Sequence, residues 1–446
     1  LIENHKRPLP APLLVKLAQE FNVDLGQFAS DEDARLVADL MEAFADPMFE
    51  DPALTQAEVR DMASASPAAA RAVIALYRAY RAAKGAADDL SSRIAERDDL
   101  AQGVTAAHLP SEEVSDFIQR NVNHFAVLET AAEDLVAKGK LHTDEIYQGL
   151  VRFLEKDLGI SVQIARSEKA RETLRRFDPE KKVLLLSELL PTRSRSFQLA
   201  YQIGMLTQKK AIDALVEREA YLTTDASRAL ARVALGNYFA GALLMPYESF
   251  LRAAREERYD LDVLGRRFRV GFEQTCHRLT TLRKPGAEGV PFHFVRIDVA
   301  GNISKRFSAS GIRIARFSGA CPRWNIFAAF LTPGMIRIQL SRMPDGDAFF
   351  CLARTVQKDS GGYHAQQPVM AIGLGCKLEY AKELVYSDGV DLENPGICTP
   401  VGVTCRTCER TDCDQRAFPS MRQPLVVDEN VRGTSLYAVT APRTAS

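Results

Sequence analysis

The feature that most constrains this chain is a group of cysteines close to its end. Cys405, Cys408 and Cys413 stand as C-x2-C-x4-C in CRTCERTDC, and Cys376, in GLGCKLEYAKELVYSDG, lies 29 positions before Cys405. Thiolates spaced this closely, in a chain with no sign of secretion, point to a metal or iron–sulfur site before a disulfide framework. Four thiolates suit tetrahedral zinc or an iron–sulfur cluster. By spacing alone Cys398 competes with Cys376 for the fourth position. The plain alternative is a set of free or partly paired thiols.

The 446 residues are enough for two to four domains with ample core. Net charge is −1, from 57 Lys and Arg against 58 Asp and Glu, so no global basic field draws nucleic acid and any such site must be local. No apolar run is long enough to cross a bilayer as a helix, and no secretory signal is visible, which together predict a cytoplasmic protein without a membrane span. The chain opens at Leu1 inside a helical pattern and reads as the remainder of something longer.

Pattern divides the chain into five parts. Residues 1–28, with Pro8, Pro10 and Pro12, read as a helix end, a proline-marked turn and one or two small helices. Residues 29–107 are Ala-rich and charged. They predict two or three long helices with turns at Asp46–Pro47 and Ser66–Pro67, and a stripe of Val73, Ile74, Leu76, Tyr77 and Tyr80. That stripe suits an intrachain core or, alternatively, a dimer-forming hairpin. Residues 108–260 are mixed: a helix from Pro110–Ser111, strands at Ile160–Ala165 and Val183–Leu186, and helices at Ser194–Lys209 and Asp225–Leu244. Residues 261–430 begin within one helix, DLDVLGRRFRVGFEQTCHRLTTL, and continue as strands: FHFVRIDVAG, NISKRF, IRIARF, GMIRIQL, AFFCLARTV and VMAIGLGC. Alternation with Gly and Pro punctuation argues for an antiparallel sheet closed by the cysteines. Residues 431–446 read as a polar, disordered tail. The expected class is therefore multidomain α+β.

These parts, in this order, resemble a family of bacterial transcription regulators of short-chain fatty acid and propionate metabolism. The resemblance rests on LIENHKRPLPAPLLVKLAQEFNVDL, FAGALLMPYESFLRAAREERYDLDVLGRRFRVGFEQTCHRLTTL, GNISKRFSASG, GACPRWN, and GLGC with CRTCERTDCDQRAFP. The family joins an XRE-type helix-turn-helix, a domain like the ImmA/IrrE metallopeptidases and a cysteine-bearing C-terminal domain. It implies that Asn4, His5, Lys6 and Arg7 match the tail of a recognition helix, most of which would precede Leu1. Lys6 and Arg7 suit phosphates, and Asn4 a phosphate or base edge. A chain starting there is expected to bind operator DNA poorly.

In the peptidase-like segment the resemblance sets Tyr201, Gln202 and Met205 of SFQLAYQIGML where His-Glu-x-x-His would stand, and Leu235 where the third ligand would be. Tyr, Met and Leu cannot hold hydrolytic zinc, and Gln cannot act as general base. The expectation is a non-catalytic fold whose cleft is reused for an acyl-coenzyme A. A site for that ligand needs cationic groups for phosphate and an apolar or stacking wall. Arg193, Tyr201, Gln202 and Tyr238 are candidates around the old cleft, with Arg195 beside Arg193. Lys305 with Arg306, and Arg323 with Trp324, are candidates in the sheet domain. For each, a solvated cation or a core aromatic is the plain alternative.

The resemblance also implies a 4Fe–4S cluster on Cys376, Cys405, Cys408 and Cys413, with zinc as the alternative metal. Cys321 in GACPRWN matches a recurring family position but not a ligand, and Arg406, Arg410 and Arg416 are placed to offset cluster charge. The expected function is a homodimeric, operator-binding regulator that responds to acyl-coenzyme A. Two competing readings are a structural zinc or iron–sulfur scaffold without a ligand, and a peptidase or thiol oxidoreductase.

Overall fold

A computed structural model describes residues 54–77, 110–165, 174–315, 319–357, 367–406, 408–411 and 413–419, with single positions at 36, 37, 40, 43, 44, 80, 83 and 84. The chain divides into two compact units, Leu1–Ala106 and Ala107–Ser446. Asn4, His5, Lys6 and Arg7, the Asp46–Pro47 turn and the 431–446 tail lie outside the described residues.

In the first unit, α1 (Gln56–Ala65) opens on a capping box. The Thr55 hydroxyl accepts from the Glu58 N–H, and the Glu58 carboxylate accepts from the Thr55 N–H at 2.8 Å. Two main-chain donors that a helix start leaves open are thereby satisfied. Ser66 closes α1, and a second helical run follows over 67–77, so the chain breaks where Ser66–Pro67 predicts. Ala70 and Ile74 of that run pack with Val59 and Ala63, and with Leu36 and Leu40. Leu76, from the same expected stripe, stands 71% exposed.

The second unit begins with α2 (Pro110–Arg120), α3 (Ala126–Lys138) and α4 (Ile146–Arg152). A three-stranded sheet follows, in order β1-β3-β2. β1 (Ser161–Ala165) runs parallel to β3 (Val183–Ser187), and β2 (Arg175–Asp178) runs antiparallel to it. β2 is absent from the sequence reading because RRFD has no apolar alternation; pairing with β3 makes it a strand.

Next come α5 (Thr192–Thr207), α6 (Lys209–Glu217) and α7 (Asp225–Leu244). Thr224 caps α7 by accepting from the Ser227 N–H, and Pro246 stands just past its end. Ala231, Leu235, Tyr238, Phe239 and Ala242 form one buried stripe at helical spacing. Gly204 lets α5 lie close against it: a Cβ there would sit 2.5 Å from Phe239 Cδ1.

α8 (Tyr247–Glu256) leads to α9 (Leu261–Arg267) and α10 (Phe272–Leu279). The sequence reads this stretch as one helix, and the structure makes it two. Arg269 adopts a left-handed φ of 55°, and Gly271 then caps α10, with its N–H on Gln274 Oε1 at 2.8 Å. A buried ion pair ties this body together. Arg278 of α10 grips Glu129 of α3 through both oxygens, at 2.6 and 2.8 Å, and donates to the Met245 carbonyl at 2.9 Å. The Tyr238 hydroxyl donates to the same carboxylate and accepts from the Phe125 N–H at 3.1 Å.

The last layer is a six-stranded sheet, in order β5-β4-β8-β7-β6-β9. Its strands are β4 (His293–Asp298), β5 (Ile303–Ser308), β6 (Arg337–Arg342), β7 (Ala348–Gln357), β8 (Val369–Lys377) and the short β9 (Thr399–Pro400). All neighbours are antiparallel except β6 and β9. IRIARF forms no strand over its described residues, 312–315; Ile312 and Ala315 are buried there as plugs. A short helix, α11 (Asn325–Ala328), packs on β6, β7 and β8. Among the described residues no helix is long and apolar enough to cross a membrane.

Candidate functional site

The cysteines gather at the end of the sheet. Cys321, Cys405, Cys408 and Cys413 line one small pocket, together with Arg323, Val401, Gly402, Thr404, Arg410 and Arg416. Cys321 arrives from the loop before α11, and its N–H donates to the Val403 carbonyl at 2.9 Å. Burial pushes its thiol up, and the thiols of Cys405 and Cys408 beside it push the same way. Arg416 reaches across the loop to the carbonyls of Cys405 at 2.8 Å and Cys408 at 3.0 Å. Arg410 binds the carbonyls of Val401 and Arg342. Arg406 instead stacks on Phe418. The Ala417 N–H points at Cys405 Sγ, 3.5 Å away. Among the described residues, no three His, Cys, Asp or Glu side chains are gathered closely enough to hold a single metal ion.

Cys376 differs from its expected place in this set. It lies on β8 opposite Phe350 of β7, fully buried, in the core that also holds Ala381 and Leu384. The reason is strand alternation, since successive residues of a strand face opposite sides of its sheet. In GLGC the two glycines face one side and the cysteine the other. Cys398, the spacing-based rival, sits instead with its Sγ 3.7 Å from an Arg342 guanidinium nitrogen.

The side that the glycines face holds a second pocket. It is lined by His293, Val295, Ile312, Trp324, Asn325, Ile326, Gln339, Ser341, Cys351, Leu352, Gly373 and Leu374, and encloses about 20 Å³. That is room for one water molecule or a terminal methyl group. One row of the sheet builds it. His293 on β4 is in register with Gly375 on β8, which is in register with Cys351 on β7, and that with Gln339 on β6. Because Gly375 carries no side chain, the His293 ring lies over it. A Cβ there would stand 2.5 Å from Cε1 and 2.6 Å from Nε2. His293 Nε2 thereby comes 3.8 Å from Cys351 Sγ, while Nδ1 is 2.9 Å from Ser310 Oγ. Burial pushes the Cys351 thiol up to about 12 and His293 down to about 3, so both are neutral.

The loop Cys321–Asn325 touches both pockets. Cys321 lines the first, and Trp324 and Asn325 line the second. The Trp324 indole N–H donates to the Gly402 carbonyl at 3.0 Å, which pins the chamber wall to the cysteine loop. Asn325 Nδ2 gives one hydrogen to the Arg337 carbonyl and the other to that of Cys351.

The old peptidase cleft is closed. Tyr201, Gln202 and Tyr238 are all buried, where the sequence reading has them lining an open cleft. Tyr201 and Met205 fill the space over α7: a Cβ on Gly236 would lie 2.8 Å from Tyr201 Cε2 and from Met205 Sδ. The Arg175 guanidinium covers the other face of Tyr201, 3.9 Å from the ring centre. Tyr201 and Met205 pack onto α7 where metal ligands would point into a cleft. Arg193 is exposed on the first turn of α5. Lys305 reaches Glu273 at 3.7 Å on the sheet's edge, and Arg323 stands in the wall of the cysteine pocket, 3.9 Å from Asp414. The six expected ligand residues therefore do not meet. His293, Cys351 and Gly375 escaped the sequence reading, although two glycines at i and i+2 within one strand are a signal of close approach.

Residues 281–437 match the family described as short-chain fatty acyl coenzyme A regulator, C-terminal, and residues 155–280 match the IrrE N-terminal-like domain. The chain is 40% identical over 440 residues to the HTH-type transcriptional regulator PrpR of Mycobacterium tuberculosis, covering 98% of this chain and 89% of that protein. It is 41% identical over 442 residues to the Propionyl-CoA carboxylase regulator of Cereibacter sphaeroides, covering 98% and 91%. A solved structure described as a Mycobacterium tuberculosis transcriptional regulator shares 42% identity at a TM-score of 0.71, over 74% of this chain and 100% of that one.

Proposed function

The chain belongs to this family of short-chain fatty acyl-coenzyme A transcriptional regulators, and from that premise we propose that it is a DNA-binding homodimer whose C-terminal domain senses an acyl-coenzyme A and holds a 4Fe–4S cluster. The observation that carries the reading is the loop Cys321–Asn325, one face of which belongs to the cysteine pocket and the other to the apolar chamber. A cluster site and an acyl site that share a wall can influence each other without a long relay.

Cys321, Cys405, Cys408 and Cys413 are the donors we assign to the cluster, with Cys321 in the place first given to Cys376. The surroundings fit such a group. Arg410 and Arg416 bring positive charge to the loop, and the Ala417 N–H faces a sulfur. Gly402 leaves no room for a side chain: a Cβ there would stand 2.9 Å from Cys408 Sγ. Bound there, the cluster would supply a redox-sensitive tie for the loop.

The chamber is where we assign the acyl end. Val295, Ile312 and Ile326 give it an apolar wall, and its small size favours the shortest chains. A longer chain would have to displace packed core. Arg323, between the two pockets, is the cation best placed for the carrier's phosphates. The buried Tyr201, Gln202 and Tyr238 act in this reading as packing residues.

Protein purified without oxygen tests both halves. Iron and sulfide in equal amounts are expected, lost in Cys321→Ala and kept in Cys376→Ala. One zinc without sulfide would replace the cluster by a structural metal, and loss in Cys376→Ala alone would return that residue to the ligand set. Isothermal titration with propionyl-coenzyme A is expected to give heat, and free coenzyme A less. No heat from folded protein would overturn the acyl reading.

A further inference from the structure

The chamber holds a nucleophile that ligand sensing does not require. Cys351 Sγ faces His293 Nε2 at 3.8 Å, and His293 Nδ1 faces Ser310 Oγ at 2.9 Å. A thiol facing an imidazole that is oriented in turn by a third group is the arrangement from which a cysteine nucleophile is activated. All three are buried, yet Cys351 and His293 keep 8% and 6% of their surface, and both line the chamber. The contact spans a strand: β4 and β7 are separated by β8, and the imidazole reaches Cys351 only across Gly375.

We propose that Cys351 captures the acyl group of a short-chain acyl thioester covalently, with His293 as its proton acceptor and Ser310 holding the imidazole. This rests on the acyl reading above. The working tautomer has Nδ1–H donating to Ser310 Oγ and the Nε2 lone pair turned to Cys351. As Sγ attacks the acyl carbonyl carbon, its proton passes to Nε2. The bond from that carbon to the carrier sulfur breaks, and the carrier thiolate leaves with the proton from Nε2. One thioester is exchanged for another, so no oxidant, reductant or further reactant is needed.

The chamber also sets the limit of the reaction. Asn325, whose amide already contacts the Cys351 carbonyl, gives both Nδ2 hydrogens to main-chain carbonyls. It has none left for the oxyanion that acyl transfer develops. Capture is therefore slow and stoichiometric: a modification that records exposure to the thioester, not a turnover.

The test incubates the whole chain with propionyl-coenzyme A, or with the propionyl thioester of N-acetylcysteamine, followed by acid quench, intact mass and peptide mapping. One propionyl group on the peptide carrying Cys351, removed by hydroxylamine, is expected. Cys351→Ser should abolish it. His293→Gln should slow it on the order of 10²-fold, the usual contribution of a general base, and Ser310→Ala less. Cys376→Ala, on the opposite face of the sheet, should leave it unchanged, as a control for nonspecific acylation. Binding heat without an adduct, or an adduct equally present in Cys351→Ser, overturns the capture and leaves the regulator reading standing. Neither heat nor adduct overturns both.

Discussion

A cavity was to be expected at the old peptidase cleft and not in the sheet, yet the chamber lies in the sheet. Between α5 and α7, every position that would hold metal or base carries a large side chain, and Tyr201 and Met205 are pressed onto Gly236. In the sheet, glycines at 373 and 375 let Ile326 and the His293 ring lie against β8, and a pocket of about 20 Å³ with polar groups around it remains beside them. Loss of catalytic residues from the helix pair went with closure. The close approach of the His293 ring to β8 needs a glycine, which costs stability in a strand. The helix body has become a frame, and the candidate chemistry sits in the sheet.

The sharpest way to break this contrast is to show that the helix body is not a frame. Arg278→Ala leaves the Glu129 carboxylate buried without its partner, and should cost about 3–5 kcal/mol in a denaturant titration. A shift below about 1 kcal/mol would make the helix body as loose as the chamber.

Filling the void from the sheet side should hurt next. Gly375→Ala drives a methyl into His293 and to 2.7 Å from the Phe350 carbonyl, with a cost of about 1–3 kcal/mol from overpacking. It should abolish the response to propionyl-coenzyme A at temperatures where the variant is still folded. Unchanged response would remove the chamber from the site.

Acid loads both regions. His293 is held neutral by burial, at about 3 against 6.5. Below pH 6.5 the unfolded chain takes up a proton that the folded site refuses. The stability His293 contributes is therefore full above 6.5 and declines as pH falls towards 3, by about 2 kcal/mol at pH 5. Burial pushes Glu129 up, but the charge and hydrogen bonds of Arg278, with the Tyr238 hydroxyl, hold it below its usual 4.5. Its contribution is present above 4.5 and is lost only as pH falls through that lowered value. His277, on α10 itself, is held down to about 3 by burial in the same way, so hydrogen exchange should show β4 and α10 loosening together at pH 5. Loosening of β4 alone would show that burial of His277 carries no such acid penalty.

The smallest effect belongs to the cleft itself. Tyr201→Phe keeps the ring that packs on Gly236 and under Arg175, so stability should move by less than about 0.5 kcal/mol and ligand affinity not at all. A tenfold affinity loss in titration would return the cleft to the binding site.

Much of this architecture was legible in the sequence. The expected helix Asp225–Leu244 has its observed bounds: Pro246 marks its end in the sequence, and the structure adds the Thr224–Ser227 capping box at its start. Five of the six expected strands of the large sheet appear, since alternation is a local property. RRFD was missed because its strand exists only through its neighbour, and IRIARF misled because its apolar residues plug a gap without pairing. The site was less legible. Cys405, Cys408 and Cys413 announce themselves by spacing, whereas Cys321 is distant in sequence and joins them only through the fold. Cys376 lies apart from those three because motif membership says nothing about which face of a strand a residue takes. The His293–Cys351 contact depends on the register of three strands, which no single stretch of sequence carries.

The chain has one tryptophan, Trp324, half-buried with its indole tied to the cysteine loop and its ring in the chamber wall. Its emission is therefore a site-specific optical signal from the unmodified protein. An acyl chain entering beside the ring would shift the colour, and a change at the cysteine loop that broke the bond to Gly402 would shift it separately. Stopped-flow fluorescence can follow both events in one cuvette, and the order of the two transients would tell which pocket moves first.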